Sequence, residues 1–165
     1  MKDAIDTWVF AYGSNMDLAD LRRWFRDRNH DVNGIHSHQY AVLPGYRLVW
    51  NYYSSGRRGG AANIELQAGR ELPGVALQVD NTALAAIDAK EGHPSYYNRG
   101  DRMMPIRLGD GRVVGAWVYI ARPERCSAAP VRPRRDYLGL MIAAAEQYQF
   151  PDWYLNELRA TSTAD

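Results

Sequence analysis

The sequence predicts an α+β fold, in which a small, mixed but mostly antiparallel β-sheet curls toward a barrel with helices flanking it. Three observations predict it. Strand-like segments mostly follow one another along the chain, which favours antiparallel pairing. Turn-forming pairs, Pro44-Gly45 and Asp110-Gly111, lie between several of them. A length of 165 residues suits one domain, 1–165, that buries its own core.

The first predicted strand covers 7–12, and a helix follows it. Apolar side chains recur at helical spacing from 17 to about 27, and a polar loop ends this segment. Asn15 and Asp17 can each cap the start of the helix, and the sequence does not decide between them. The segment 36–53 then predicts two strands around its Pro-Gly pair.

The middle of the chain predicts two more strands and a short helix. A flexible loop and the two strands occupy 54–60, 61–67 and 73–80. The helix covers 81–91. Asn81 is a good N-cap for it, and Gly92 stands in the usual position after a last turn.

The last third of the chain predicts a hairpin followed by a loop and two helices. Two long strands, 96–108 and 112–121, meet at the Asp-Gly pair, which is a strong hairpin signal. A loop rich in proline and arginine follows at 122–133. Apolar side chains at helical spacing predict a helix from about 134 to 148, and Pro151 starts a last short helix.

Composition and charge argue against several classes of protein. A net charge of +1 gives no general electrostatic attraction to nucleic acid or to anionic membrane surfaces. No apolar run has the length of a signal-peptide core or of a membrane span. Cys126 is the only cysteine, which favours a reducing compartment. We therefore expect a cytoplasmic protein without nucleic-acid or membrane partners, and the sequence does not indicate its oligomeric state.

One predicted helix carries a carboxylate on its apolar face. Leu84, Ile87 and Glu91 share that face, and Glu91 also falls in the last turn, where the helix dipole disfavours negative charge. Asp88, one turn earlier, adds repulsion. These effects should raise the pKa of Glu91, which suits a group that accepts and returns a proton near neutrality. The alternatives are a solvated helix end and a core carboxylate paired with an arginine such as Arg99.

The segment Tyr12-Gly13-Ser14-Asn15 puts a ring, a bare backbone, a hydroxyl and an amide between the first strand and the first helix. A helix start exposes backbone N–H groups with partial positive charge, and Gly13 lets a ligand approach the backbone closely. The N–H groups near Gly13, Ser14 and Asn15 could hold a carboxylate or an oxyanion. The alternative is an ordinary tight turn with a capping asparagine.

Other chemically suggestive residues favour structural or incidental roles. His36 and His38 share a strand face, but no third ligand stands at a useful spacing, so we expect no metal site. Cys126 has no local histidine, so we interpret it as an incidental thiol. The phosphate-binding motifs G-x-x-x-x-G-K and G-x-G-x-x-G do not occur, so we expect no nucleotide cofactor. One basic cluster could meet RNA or an acidic ligand, or be a solvated loop. It comprises Arg122, Arg125, Arg132, Arg134 and Arg135.

Four stretches, taken in order, carry a family resemblance. They are FAYGSNM (10–16), RRGGAANI (57–64), LAAIDAKEGHPSYYNR (84–99) and SAAPVRPRRDYLGLMIAAAEQYQFP (127–151). Together they resemble the gamma-glutamylcyclotransferase-like family over nearly the whole chain. Asn15 is similar to the gamma-glutamylcyclotransferase and gamma-glutamylamine cyclotransferase branch, whereas the glutathione-degrading ChaC branch usually has leucine there. The arginine-rich VRPRR segment departs from the family pattern.

The resemblance implies a small mixed-β barrel with a pocket at its mouth. It implies that Glu91 is the general acid/base, that the loop 12–15 binds substrate, and that Tyr137 lines the pocket. The implied reaction cleaves a gamma-glutamyl amide without a cofactor. The substrate's α-amine attacks the γ-carbonyl, and 5-oxoproline and an amino acid or amine are released. Two alternatives stay open: a sibling enzyme that releases another amine, and a non-catalytic module that binds a small acidic ligand.

Overall fold

The computed structural model describes residues 6–165 and contains a closed five-stranded barrel. The strands in chain order are β1 (Thr7–Ala11), β2 (Ile35–Ser54), β3 (Gly59–Val79), β4 (Tyr97–Asn98), β5 (Met104–Leu108), β6 (Val113–Trp117) and β7 (Ile120–Ala121). The barrel order is β1-β3-β2-β5-β6, and β6 returns to β1 as the parallel pair that closes it. The other barrel pairs are antiparallel, and β4 and β7 form a separate small sheet. The predicted mixed, mostly antiparallel barrel is therefore confirmed.

Helices flank this barrel, as predicted. They are α1 (Leu18–Asp27), α2 (Asn81–Glu91), α3 (Arg135–Gln147) and α4 (Asp152–Arg159). Short 3₁₀ turns occur at Ser14–Met16, Val32–Gly34 and Pro123–Arg125. Within the described residues, no helix combines the length and apolar character needed to cross a bilayer.

Local hydrogen bonds settle where the helices begin. Asp17 caps α1, because its carboxylate accepts the Asp20 N–H at 3.0 Å, and this leaves the Asn15 side chain free for another role. The cap of α2 is Asp80, whose carboxylate accepts the Ala83 N–H at 2.8 Å, so the expectation of an Asn81 cap was wrong. Gly92 follows α2 with a left-handed φ of 64°, as predicted.

β2 and β3 are two long bent strands, where four shorter ones were predicted. They pair along their lengths from Ile35 opposite Val79 to Ser54 opposite Gly59. The register shifts next to Gly45, whose φ is +81°, and pairing then resumes. A bulge of this kind bends a strand without ending it, so a Pro-Gly pair here marks a bend instead of a strand end.

The predicted hairpin of 96–108 and 112–121 is split into two pairs of strands. β5 and β6 pair in the barrel around the Asp110-Gly111 turn, where Gly111 has a φ of +91°. β4 and β7 pair in the small sheet. In the turn between β4 and β5, the Asn98 side chain accepts the Gly100 N–H at 2.7 Å, and Gly100 has a φ of +66°. The hairpin turn is confirmed, whereas two unbroken long strands are not.

Close packing between β1 and β3 fixes the strand that leads into the candidate site. Phe10 on β1 is fully buried, and its ring lies over Gly74 on β3. A Cβ added at Gly74 would stand 2.4 Å from the ring, so only glycine fits there. This packing determines where the segment after β1 emerges from the barrel.

Candidate active site

A cavity of about 610 Å³ opens where the segment after β1, the end of α2 and the start of α3 come together. Every residue predicted for the site lines it. These residues are Tyr12, Gly13, Ser14, Asn15, Glu91 and Tyr137. The fold therefore brings the predicted loop, carboxylate and tyrosine to one concave surface.

Glu91 ends α2 and is partly buried in the cavity wall. The Asn15 side-chain amide donates to its Oε1 at 2.7 Å, whereas Oε2 accepts no hydrogen bond from residues 6–165. An ion pair between Glu91 and Arg99 is not formed, because Arg99 donates to Asp88 at 2.8 and 3.0 Å. Glu91 thus has one oxygen held and one open.

Lys90 orients the amide that holds Glu91. Its ammonium donates to Asn15 Oδ1 at 2.7 Å and approaches Ser14 Oγ at 3.5 Å. With its oxygen bound by Lys90, the Asn15 amide must turn its NH₂ group toward Glu91. Burial of the ammonium group lowers the pKa of Lys90, although the residue as a whole is only partly buried. Lysine, asparagine and glutamate therefore form one short chain of hydrogen bonds.

Tyr137 and Tyr97 hold the backbone on the opposite wall. The Tyr137 hydroxyl accepts the Ala62 N–H at 3.1 Å, and the Tyr97 hydroxyl donates to the Ala62 carbonyl at 2.8 Å. Both tyrosines are buried, and burial raises the pKa of each hydroxyl. Both rings therefore stay neutral and serve as fixed hydrogen-bonding groups.

The loop at Gly13 lies directly against Tyr137. A Cβ added at Gly13 would stand 2.8 Å from the Tyr137 hydroxyl oxygen and 3.3 Å from the Ala62 Cβ. The φ of Gly13 is −115°, which other residues also adopt, so space and not a left-handed backbone requires glycine here. Within the described residues, the N–H groups of Gly13 and Asn15 donate to no acceptor. A ligand that reaches this loop would therefore meet two N–H groups without a competing acceptor.

The Tyr12 hydroxyl has a structural partner. It donates to the backbone carbonyl of Tyr119, and burial raises its pKa well above the ordinary value. Its ring contributes to the cavity lining, but its hydroxyl is already bound. The Tyr12 side chain can therefore shape the pocket more readily than it can exchange protons.

An ion-pair cluster around the buried Asp20 carboxylate contributes charge to another part of the cavity wall. The Asp20 carboxylate accepts from Arg57 at 2.7 Å and from Arg23 at 2.8 Å. Burial opposes ionisation of Asp20, but the hydrogen bond and charge of Arg57 outweigh it, so the pKa of Asp20 is lowered overall. The Arg57 guanidinium also lies 5.6 Å from the centre of the Tyr137 ring. This cluster ties α1 to the β2–β3 turn across the cavity.

His36, His38 and Cys126, for which the sequence favoured structural or incidental roles, have hydrogen-bond partners within the protein. His36 Nδ1 lies 2.9 Å from Asp6 Oδ2, and His38 Nδ1 lies 2.6 Å from the Tyr148 hydroxyl. Within residues 6–165, no three side chains of the metal-binding types gather. The Cys126 thiol donates to a backbone carbonyl at 3.4 Å.

The sequence matches the family model described as gamma-glutamyl cyclotransferase, AIG2-like, over residues 9–139. The chain belongs to this family. The matched range contains the loop 12–15, Lys90, Glu91 and Tyr137, so the whole site described above lies within the family's domain.

Solved structures share the fold of this family member. A gamma-glutamyl cyclotransferase superposes with a TM-score of 0.77 at 20% identity, covering 98% of this chain and 90% of its own. An uncharacterized Homo sapiens protein gives 0.78 at 21% identity, covering 97% and 90%. A yeast gamma-glutamyl cyclotransferase described as specific to glutathione gives 0.59 at 14% identity, covering 93% and 96%. At these identities the likeness concerns the fold.

One relative is similar in sequence as well. A protein of Methanocaldococcus jannaschii, provisionally named a gamma-glutamylcyclotransferase, is 36% identical over 63 residues. The matched segment covers 38% of this chain and spans half the length of that relative.

Sequence reasoning missed Lys90, Tyr97 and the pair of Asp20 and Arg57. Lys90 neighbours Glu91 in sequence, but adjacent helical residues point in different directions, so its shared contact with Asn15 was not expected. Tyr97 and Arg57 lie within the stretches that carry the family resemblance, which was the available signal.

Tyr137→Phe is expected to destabilise this family member by about 1–3 kcal/mol, because the buried Ala62 N–H loses its acceptor. Urea unfolding measures the loss. Tyr148→Phe is the matched control, since its hydroxyl bonds to His38 at an exposed position where water can replace it. Equal losses in the two variants would contradict the role given to the Tyr137 hydroxyl.

Proposed function

We propose that this chain is a cyclotransferase that cleaves gamma-glutamyl amides by intramolecular attack and releases 5-oxoproline with an amino acid or amine. Family membership supports the reaction class. The observation that carries the proposal is the Glu91 carboxylate, held at Oε1 by Asn15 and open at Oε2 in a pocket lined by the loop 12–15. A group in this state is suited to receive a proton and give it up again.

The proposed reaction needs little beyond geometry and one proton transfer. The substrate's α-nitrogen forms a bond to the γ-carbon, and the bond from that carbon to the leaving nitrogen breaks. A well-oriented intramolecular nucleophile can have an effective concentration of roughly 10⁵–10⁸ M. The α-amine must lose a proton and the leaving nitrogen must gain one. Glu91 Oε2 can carry this proton from the first nitrogen to the second.

The loop supplies a second interaction in this proposal. Negative charge develops on the γ-carbonyl oxygen when the ring closes, and backbone N–H groups stabilise such a charge. The N–H groups of Gly13 and Asn15 are the candidate donors, because neither has an acceptor within the described residues. The same groups could instead hold a carboxylate of the substrate. In both cases the loop positions the reacting carbon beside Glu91.

An α-N-acetylated gamma-glutamyl substrate is expected not to react, because acetylation removes the nucleophile. The measurement is release of 5-oxoproline and of glutamate across a panel of gamma-glutamyl amino acids, gamma-glutamyl amines and glutathione, with the acetylated form of each as its control. Free N-acetylglutamate would indicate hydrolysis by water and refute ring closure. Absence of 5-oxoproline from the whole panel would favour a non-catalytic binding module.

A further inference from the structure

A second cavity of about 340 Å³ adjoins the first. It is lined by Tyr52, Tyr53, Ser55, Tyr96, Glu124 and Arg125, and we call it the tyrosine cleft. Tyr52 and Tyr96 also line the larger cavity that holds Glu91. Because two side chains belong to both walls, the tyrosine cleft lies next to the cavity where a substrate would meet Glu91.

The arginine-rich loop builds one side of this cleft and is fixed by its backbone. The Ser127 N–H donates to the Asn51 carbonyl at 2.7 Å, and the Val131 N–H donates to the Trp50 carbonyl at 2.8 Å. Cys126 forms a β-bridge with Tyr52. The loop thus lies along β2, and the position of Arg125 follows from main-chain contacts.

Arg125 presents a positive charge without a carboxylate partner among the described residues. Its Nε donates to the Ser95 carbonyl at 2.9 Å, and its guanidinium carbon lies 4.0 Å from the centre of the Tyr96 ring. The nearby Glu124 carboxylate is bound by Arg122 at 2.6 Å. Arg125 is therefore held in place while its charge stays available to a ligand.

Two of the three tyrosines that line the cleft are exposed. Tyr53 is 57% exposed and Tyr96 is 46% exposed. Tyr52 is partly buried and lines both the cavity that contains Glu91 and the cleft that contains Arg125. Its ring is thus shared by the two cavities.

We propose that the tyrosine cleft binds the leaving group of the substrate, and that this leaving group is an amino acid or peptide whose carboxylate pairs with Arg125. The proposal rests on the proposed function for the ring-closing step. Guanidinium and carboxylate form strong, charge-assisted hydrogen bonds, and aromatic rings pack well against apolar side chains. A simple amine leaves the arginine without a counter-charge, so the cleft favours gamma-glutamyl amino acids over gamma-glutamyl amines.

A matched pair of substrates tests this. Gamma-glutamyl-phenylalanine and gamma-glutamyl-phenethylamine differ only in the carboxylate of the leaving group. We expect the wild type to prefer the acid by about ten- to a hundredfold in kcat/KM, the range for a hydrogen bond to a charged group. Arg125→Gln should abolish that preference by lowering kcat/KM for the acid far more than for the amine, and Arg125→Lys should restore part of it. Glu124→Gln should increase the preference, because it removes a negative charge from the cleft.

The control variant is Arg107→Gln, since Arg107 is exposed, pairs with Glu71 and lines neither cavity. It should keep the wild-type preference. Equal turnover of the two substrates by the wild type, or an equal loss for both in Arg125→Gln, would overturn the subsite and leave the proposed function standing. If no 5-oxoproline forms, the affinities of both compounds measured by calorimetry test the leaving-group subsite independently of the proposed reaction. Acid-selective binding that depends on Arg125 then supports the subsite, and its absence overturns it.

Discussion

Glu91→Gln is expected to lower the turnover of 5-oxoproline formation by roughly 10²–10⁴-fold while the protein stays folded. Glutamine keeps the shape of glutamate and can still accept the Asn15 hydrogen bond, which stands at 2.7 Å in the structure. It cannot carry a proton between the two substrate nitrogens. The measurement pairs turnover with the thermal midpoint of the same sample, and substrate binding should largely survive because the loop 12–15 is untouched.

Asp88→Asn is the matched control, one turn earlier on the same helix. The Asp88 carboxylate accepts from Arg99 at 2.8 Å and from the Tyr119 hydroxyl at 2.5 Å. This substitution should lower the thermal midpoint more than Glu91→Gln and reduce turnover far less. Loss of both properties in Glu91→Gln would assign Glu91 a structural role, and full retention of turnover would remove it from the mechanism.

Gly13→Val is expected to reduce kcat/KM by about 10²-fold or more, mainly through substrate binding, in a protein that still folds. The new Cβ would start 2.8 Å from the Tyr137 hydroxyl oxygen, so the loop must move away from the wall. A displacement on the order of 1 Å can cost about 10²-fold when orientation matters. Michaelis constants and circular dichroism on one preparation measure both effects.

The matched control for that change is Gly139→Val. Gly139 is exposed on α3, and an added Cβ there meets nothing within 4 Å. This variant should keep the activity of the wild type. Unchanged KM and turnover in Gly13→Val would reject a substrate-binding role for the loop.

The sequence predicted the elements whose signals are local. The cap at Gly92 and the Asp110-Gly111 turn depend on backbone angles that few residues adopt, and both occur as expected. The bend at Gly45 was mistaken for a strand end, because a bulge and a turn use the same residue types. What distinguishes them is the partner strand, which a local pattern does not contain.

For the candidate site, too, the sequence indicated features with a local signal and missed contacts between distant residues. Glu91 and the loop 12–15 drew attention by their positions, but those positions left structural alternatives open. The family resemblance implied their roles, and it alone implied that of Tyr137. Lys90 was missed because its partner, Asn15, is 75 positions away along the chain. The pairing of Arg57 with Asp20 spans 37 positions and was equally invisible to periodicity. Contacts of this kind depend on how the barrel closes.

The hydrogen bond between Asn15 and Glu91 joins residues 76 positions apart, and this separation affects when the site can form during folding. Contacts between distant residues carry a large loop-closure entropy, so they tend to follow local ones. The β2–β3 hairpin can pair early, whereas Glu91, the proposed acid/base, meets the loop 12–15 only after β1 has joined β3 and α2 has docked. The candidate site is therefore completed late, and a chain that has only collapsed does not yet contain it.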